Sequence, residues 1–109
     1  MWQPDAMTRH SLFVRHVLKP GHETAFDDLV AATLPAIQQH EPRTLLYLVH
    51  TVSDQPLQRV FYELYTDRQA FEEHEQQDHV RRFLDARTQH VESIIVDGMT
   101  PADGSVGLR

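Results

Sequence analysis

The chain has no cysteine. Disulfides, thiolate zinc sites, iron–sulfur clusters and cysteine nucleophiles are therefore excluded together. Glycine is scarce, with four at 21, 98, 104 and 107, and their spacing matches no phosphate-binding fingerprint. Serine and threonine nucleophile motifs are missing as well. No apolar run approaches the roughly 20 residues that cross a bilayer, and the N-terminus does not resemble a signal peptide, so a soluble, cytoplasmic protein is the default expectation. Basic residues are few, 10 Lys and Arg against 16 Asp and Glu, for a formal charge of −6. Nucleic acid and anionic membranes need a basic patch to displace counterions, so both are disfavoured as partners. The one basic cluster, Arg81, Arg82 and Arg87, stands beside acidic neighbours and reads as the solvated face of a helix.

Histidine, by contrast, is abundant. Eight are scattered at 10, 16, 22, 40, 50, 74, 79 and 90, in no tract that suggests metal storage. The stretch 71–83, FEEHEQQDHVRRF, nearly spells the His-Glu-x-x-His helix of a zinc peptidase, which sets two imidazoles one turn apart. Asp78 stands where the second His belongs, and His79 follows one step late. A metal site is not expected.

A length of 109 residues allows one hydrophobic core. The first ten residues have no period and read as a loose leader. SLFVRHVL (11–18) is a strand closed by Lys19-Pro20-Gly21. Phe26, Leu29, Val30, Thr33, Leu34 and Ile37 recur at helical spacing, with Pro35 expected to kink or restart the helix before Pro42 ends it. LLYLVHTV (45–52) and VFYELY (60–65) are strands around a loop, SDQPLQ. Asp67 or Thr66 starts a helix, Asp78 is placed to cap a further one, and VESIIVD (91–97) is the last strand. The tail from 101 to 109 reads as flexible.

The order β-α-β-β-α-β, with the second helix broken in two, is the ferredoxin-like α+β pattern: a four-stranded antiparallel sheet with its helices on one face. The other face should then be polar at alternate positions. Both phases of LLYLVHTV and VFYELY are apolar or aromatic instead. A second copy of the chain is the economical cover, so a homodimer packed sheet to sheet is expected.

Lys19-Pro20-Gly21, His40-Glu41-Pro42, Tyr47 and the block Tyr62-Glu63-x-Tyr65-x-Asp67-x-x-Ala70-Phe71-x-x-His74, followed by Asp78-His79, resemble the antibiotic biosynthesis monooxygenase family. The likeness spans about residues 11–100. It implies a dimeric ferredoxin-like α+β barrel and oxygenation of quinols or anthrones without metal or organic cofactor. The same family includes a haem-degrading branch and a sugar-phosphate isomerase. Arg43 stands where members often have Gly, and Asp78 where they have Pro. His74, Val14 and Leu84 replace the Trp, Asn and haem-ligating His of the haem-degrading branch, which argues against haem.

Cofactor-free oxygenation needs a base working near neutrality, polar groups for the developing oxyanion, and a dry enclosure. His74 shares a helical face with Phe71 and is the expected base; its other reading is a buried histidine bonded to the main chain. His79 assists if the helix breaks at 76–78, or is simply exposed. Glu63, on a strand covered on both sides, is either a base or orienting partner, or a structural ion pair. Tyr47, His50, Tyr65 and Phe83 are the candidate substrate contacts, each equally at home in a core. The expectation is a cofactor-independent monooxygenase of a small phenolic or quinol-like aromatic. An isomerase or lyase using the same groups, or a non-catalytic ligand-binding dimer, are the alternatives.

Overall fold

The computed structural model describes residues 8–102 and 106–107. Residues 1–7, with most of the expected leader, and 103–105 and 108–109 of the expected tail lie outside them. The order is β1 (His10–Leu18), α1 (Glu23–His40), β2 (Thr44–Val52), β3 (Gln55–Tyr65), α2 (Arg68–Gln76), α3 (Asp78–Arg87) and β4 (Val91–Met99). All strand pairs are antiparallel and the sheet order is β2-β3-β1-β4. This is the ferredoxin-like α+β fold the strand and helix periods predict.

Three local expectations change. The loop SDQPLQ shrinks to Ser53 and Asp54, and β3 starts at Gln55. Asp54 takes the left-handed conformation (φ 62°), which Asp tolerates, and a two-residue turn lets both strands pair at once. Pro56 is harmless there because β1 joins β3 only from Gln58 onward. Pro35 does not break α1, which runs unbroken through it. The proline is exposed, so the carbonyl it leaves unbonded sits on the solvent side, while Phe26, Val30, Thr33 and Ile37 anchor the opposite face. The N-cap of α3 is Gln77 and not Asp78; Asp78 lies in the first turn, where the helix dipole favours its charge. Asp67 does cap α2, accepting from the Ala70 amide at 2.8 Å.

Strand register sorts the side chains. Leu12, Val14, His16 and Leu18 of β1, with Phe61, Glu63 and Tyr65 of β3, are buried toward the helices. Their core partners from the helices are Phe26, Val30, Ala70 and Phe83. On the other face Phe13 pairs with Tyr62, Leu48 with Tyr62, and Leu46 with Leu64. Among the described residues no helix covers that face, and apolar Phe13, Leu46, Leu48, Tyr62 and Ile95 share it with Arg15, His50 and Asp97; Leu48 and Ile95 are 45% and 51% exposed.

Candidate active site

The helix stripe and the strand alternation converge on Glu41. It is the C-cap of α1, at φ −126° and ψ 74°, a conformation that the following Pro42 favours over continued helix. Its amide still bonds the Ile37 carbonyl at 3.1 Å, so the side chain is fixed to the helix end and only 4% exposed. His74 on α2 donates from Nδ1 to Glu41 Oε1 at 2.5 Å, and His79 on α3 donates from Nε2 to Oε2 at 2.5 Å. Thr44 adds a third donor to Oε1 at 2.8 Å.

Both imidazoles reach one carboxylate because the helix breaks between them. In a continuous helix, residues five apart point to different sides. Gln77 is extended (ψ 138°), which ends α2 and re-aims α3. Burial pulls the Glu41 carboxyl upward, but the hydrogen bonds from His74, His79 and Thr44 outweigh it and hold it below the usual carboxylate range. An ionised carboxylate only accepts, so the two facing nitrogens carry the protons. Arg43, in the place of the family's glycine, fastens the start of β2 to α2 by pairing with Asp67 at 2.7 Å and Glu73 at 2.8 Å.

His74 also lines a cavity of about 80 Å3 between sheet and helices, with Leu12, Val14, Tyr47, Glu63 and Arg87 among the other walls. Glu63 is 5% exposed and accepts from the Tyr65 hydroxyl at 2.5 Å. Burial pushes its carboxyl up, against the opposing pull of that bond and of the His74 and Arg87 charges. Burial, and then the field of Glu63, push the Tyr47 phenol well above its ordinary value, so it stays a neutral hydroxyl. The Tyr47 and Tyr65 rings lie 5.5 and 5.2 Å from that of His74.

The structure thus gathers His74, Glu63 and Tyr47 around one space; Tyr65 is buried in the core and meets the site through its bond to Glu63, and His79 through Glu41. Two expected contacts stand elsewhere. His50 is exposed on the helix-free face, bonded to the Val60 carbonyl at 3.1 Å, because it shares the register phase of Val60 rather than of Phe61. Phe83 is core, with its ring 6.1 Å from Phe26 and 6.0 Å from Phe61. A larger groove of about 740 Å3 between α1 and β2 is lined mainly by aliphatic side chains such as Leu34, Pro35 and Leu45; Glu41, Thr44 and Tyr47 also border it, whereas His74 and Glu63 do not. Among the described residues no three His, Asp or Glu side chains are placed to hold a metal ion. The nitrogens of His74 and His79 face separate oxygens of one carboxylate.

Two residues of this site escape the sequence reading. Glu41 is read only as part of His40-Glu41-Pro42. Arg87 was expected on a solvated face with Arg81 and Arg82, yet it turns inward and donates to His16 Nε2 at 3.0 Å. Its spacing carries the signal: it follows Val80 by seven and Phe83 by four, the inner stripe of α3.

The profile of the family described as antibiotic biosynthesis monooxygenase matches residues 12–86. Among solved structures, a candidate antibiotic biosynthesis monooxygenase from Bacteroides thetaiotaomicron is similar at 15% identity and TM-score 0.86, over 95% of this chain and 99% of that one. A second, from Nitrosomonas europaea, gives 17% identity and TM-score 0.82 over 97% and 99%. A protein from Shewanella oneidensis gives 22% and 0.81 over 87% and 92%. At such identities the likeness of structure shows the fold alone. No curated protein matches the chain. The profile covers well over half of the 109 residues, and the chain belongs to the antibiotic biosynthesis monooxygenase family.

Proposed function

We propose that this protein is a monooxygenase of a small phenolic or quinol-like aromatic, working without metal or organic cofactor, with His74 as its base. The observation that carries the reading is the Glu41–His74 pair at the cavity wall. The carboxylate holds the proton on Nδ1 and leaves Nε2, which has no hydrogen-bond partner among the described residues, as the nitrogen free to accept one. Glu41 is then a positioning residue, and His79 and Thr44 hold Glu41 in turn.

In this reading Nε2 removes a proton from the phenol or from an activated ring CH2. The resulting carbanion or phenolate passes one electron to dioxygen, and the radical pair combines as a peroxide. Loss of water from that peroxide leaves a carbonyl: ring CH2 plus O2 gives ring C=O plus H2O. Tyr47 and the Glu63–Tyr65 pair supply hydrogen-bonding groups beside the ring, and the apolar walls Leu12 and Val14 limit water. Oxygen uptake by metal-stripped protein, screened against quinols, anthrones and catechols, tests this directly. Wild type should consume oxygen, and His74→Ala should lose about 10²–10⁴-fold of the rate with its fold intact. Equal turnover without oxygen would replace the reading by an isomerase.

The helix-free sheet face supports a second part of the proposal, a homodimer packed sheet to sheet. Phe13, Leu46, Leu48, Tyr62 and Ile95 form an apolar patch on that face, and a stable monomer at micromolar concentration by sedimentation would exclude the dimer.

A further inference from the structure

Arg87 is a cation without an ion pair among the described residues. It lines the same cavity as His74. Its one hydrogen bond is to the His16 imidazole, whose Nε2 accepts from it at 3.0 Å. A guanidinium carries five N–H donors, and this bond uses one of them. The apolar stem is held by packing: the Phe83 ring lies 5.8 Å from the guanidinium carbon.

The two acids near Arg87 act on it through space, and neither bonds it. Glu63 already accepts from the Tyr65 hydroxyl on Oε1 and is buried away from water. Glu75 also lines the cavity but is exposed, and it makes no bond to the guanidinium. A half-buried cation braced by a neutral ring keeps its remaining hydration only while the cavity is wet. A neutral ring entering the cavity strips that water and offers nothing in return, which opposes its binding. A ring that brings its own anionic oxygens repairs the loss, and a carboxylate matches the guanidinium fork two bonds to two.

We propose that the ligand of this cavity is a single-ring phenol or quinol bearing a carboxylate, and that Arg87 is the residue that binds that carboxylate. The small cavity, about 80 Å3, fits one ring better than a fused system. This rests on the placement of the site under the proposed function, and it names the substrate class for that site. His16 is the positioning residue that aims the guanidinium.

The test uses a matched pair of rings, hydroquinone and 2,5-dihydroxybenzoate, which differ by one carboxylate. Each is titrated calorimetrically, without oxygen, into the wild-type protein, Arg87→Gln and Arg87→Lys. Wild type should bind the carboxylated ring at least tenfold more tightly than hydroquinone. That advantage should fall below about twofold in Arg87→Gln and persist in part in Arg87→Lys, which keeps the charge and guards against a folding defect. An advantage below twofold in wild type, undetectable binding of both rings included, overturns the proposal, as does an advantage that survives in Arg87→Gln. Because no oxygen is present, the result is independent of turnover. A carboxylate preference without oxygen uptake removes only the monooxygenase reading; uptake without the preference removes only this one.

Discussion

His74 and His16 are both buried on the helix side of the sheet, 5% and 0% exposed, and they have opposite neighbours. The His74 ring bonds the Glu41 carboxylate, and the His16 ring bonds the Arg87 guanidinium. The cation beside His16 opposes a proton on that ring. Burial first, and then Arg87, push His16 down to about 4, against a smaller upward pull from the Arg59 main chain. Its Nδ1 has no hydrogen-bond partner among the described residues. One histidine is therefore placed to exchange protons, and the other is a neutral brace between Phe26 and Phe61, whose rings lie 5.1 and 4.4 Å away. Histidine content by itself is thus no guide to chemistry in this chain; the charge of the partner decides.

The largest expected effect comes from removing the anion on one side of this comparison. Glu41→Gln keeps the shape but turns one acceptor oxygen into a donor NH2, so one of the two imidazoles loses its acceptor and the His74 tautomer is no longer enforced. We expect kcat to fall about 10²–10⁴-fold with KM nearly unchanged, since Glu41 aims the base and does not touch the ring. Glu41→Ala should cost in addition about 3 kcal/mol of stability, read by urea denaturation, by stranding two buried imidazoles. Full activity in Glu41→Gln would mean that the cluster only closes the α1–β2 corner.

Much of this is legible in the sequence itself. The apolar period of α1 and the alternation in β1 identified the fold, because amphipathic elements of this length leave few ways to bury one core. The break at 76–78 was visible in the polar Gln76-Gln77-Asp78. The convergence on Glu41 was not, since it joins a helix end to two helices more than 30 residues later, and no local period reports such a meeting. The face of His50 depended on strand register, and one step of register turns a side chain to the opposite side. Arg87 was a misreading of a different kind. Arg81 and Arg82 are exposed, and grouping the three by charge hid the stripe that Arg87 shares with Val80 and Phe83.

A second prediction breaks the comparison from the other side. With its folded value near 4 and its ordinary value 6.5, His16 stays neutral in the folded protein while the unfolded chain takes up a proton below pH 6.5. The unfolded state then binds more protons, so stability falls with falling pH, by an amount on the order of 3 kcal/mol between pH 6.5 and 4. His16→Phe fits among the same rings but leaves Arg87 one acceptor short, about 1 kcal/mol less stable at pH 7. It lacks the acid-dependent loss, so its stability should overtake that of the wild type at about pH 5.7. Urea titrations at pH 7, 5.5 and 4 decide it. Two curves declining in parallel would show that His16 carries a proton in the folded state.

The smallest expected effect sharpens the comparison between the two buried carboxyls, Glu63 in the cavity wall and Glu41 behind His74. Glu41 is held ionised by three donors, whereas Glu63 has one, from Tyr65, and burial prevails to raise it above its ordinary 4.5. A carboxyl raised on folding weighs against the folded state wherever the unfolded chain is ionised, and this penalty disappears at acid pH, where both states are protonated. Glu63→Gln keeps an oxygen to accept from Tyr65 and carries no charge. It should be more stable than wild type by about 1 kcal/mol at pH 8, with the gain shrinking toward zero as the pH falls below 4.5. Denaturation curves at pH 8, 6 and 4 measure it. If Glu63→Gln proves less stable at pH 8, Glu63 is ionised and well partnered, as Glu41 is. The cavity then holds a negative charge opposite Arg87, and an anionic ligand loses its reason to bind there.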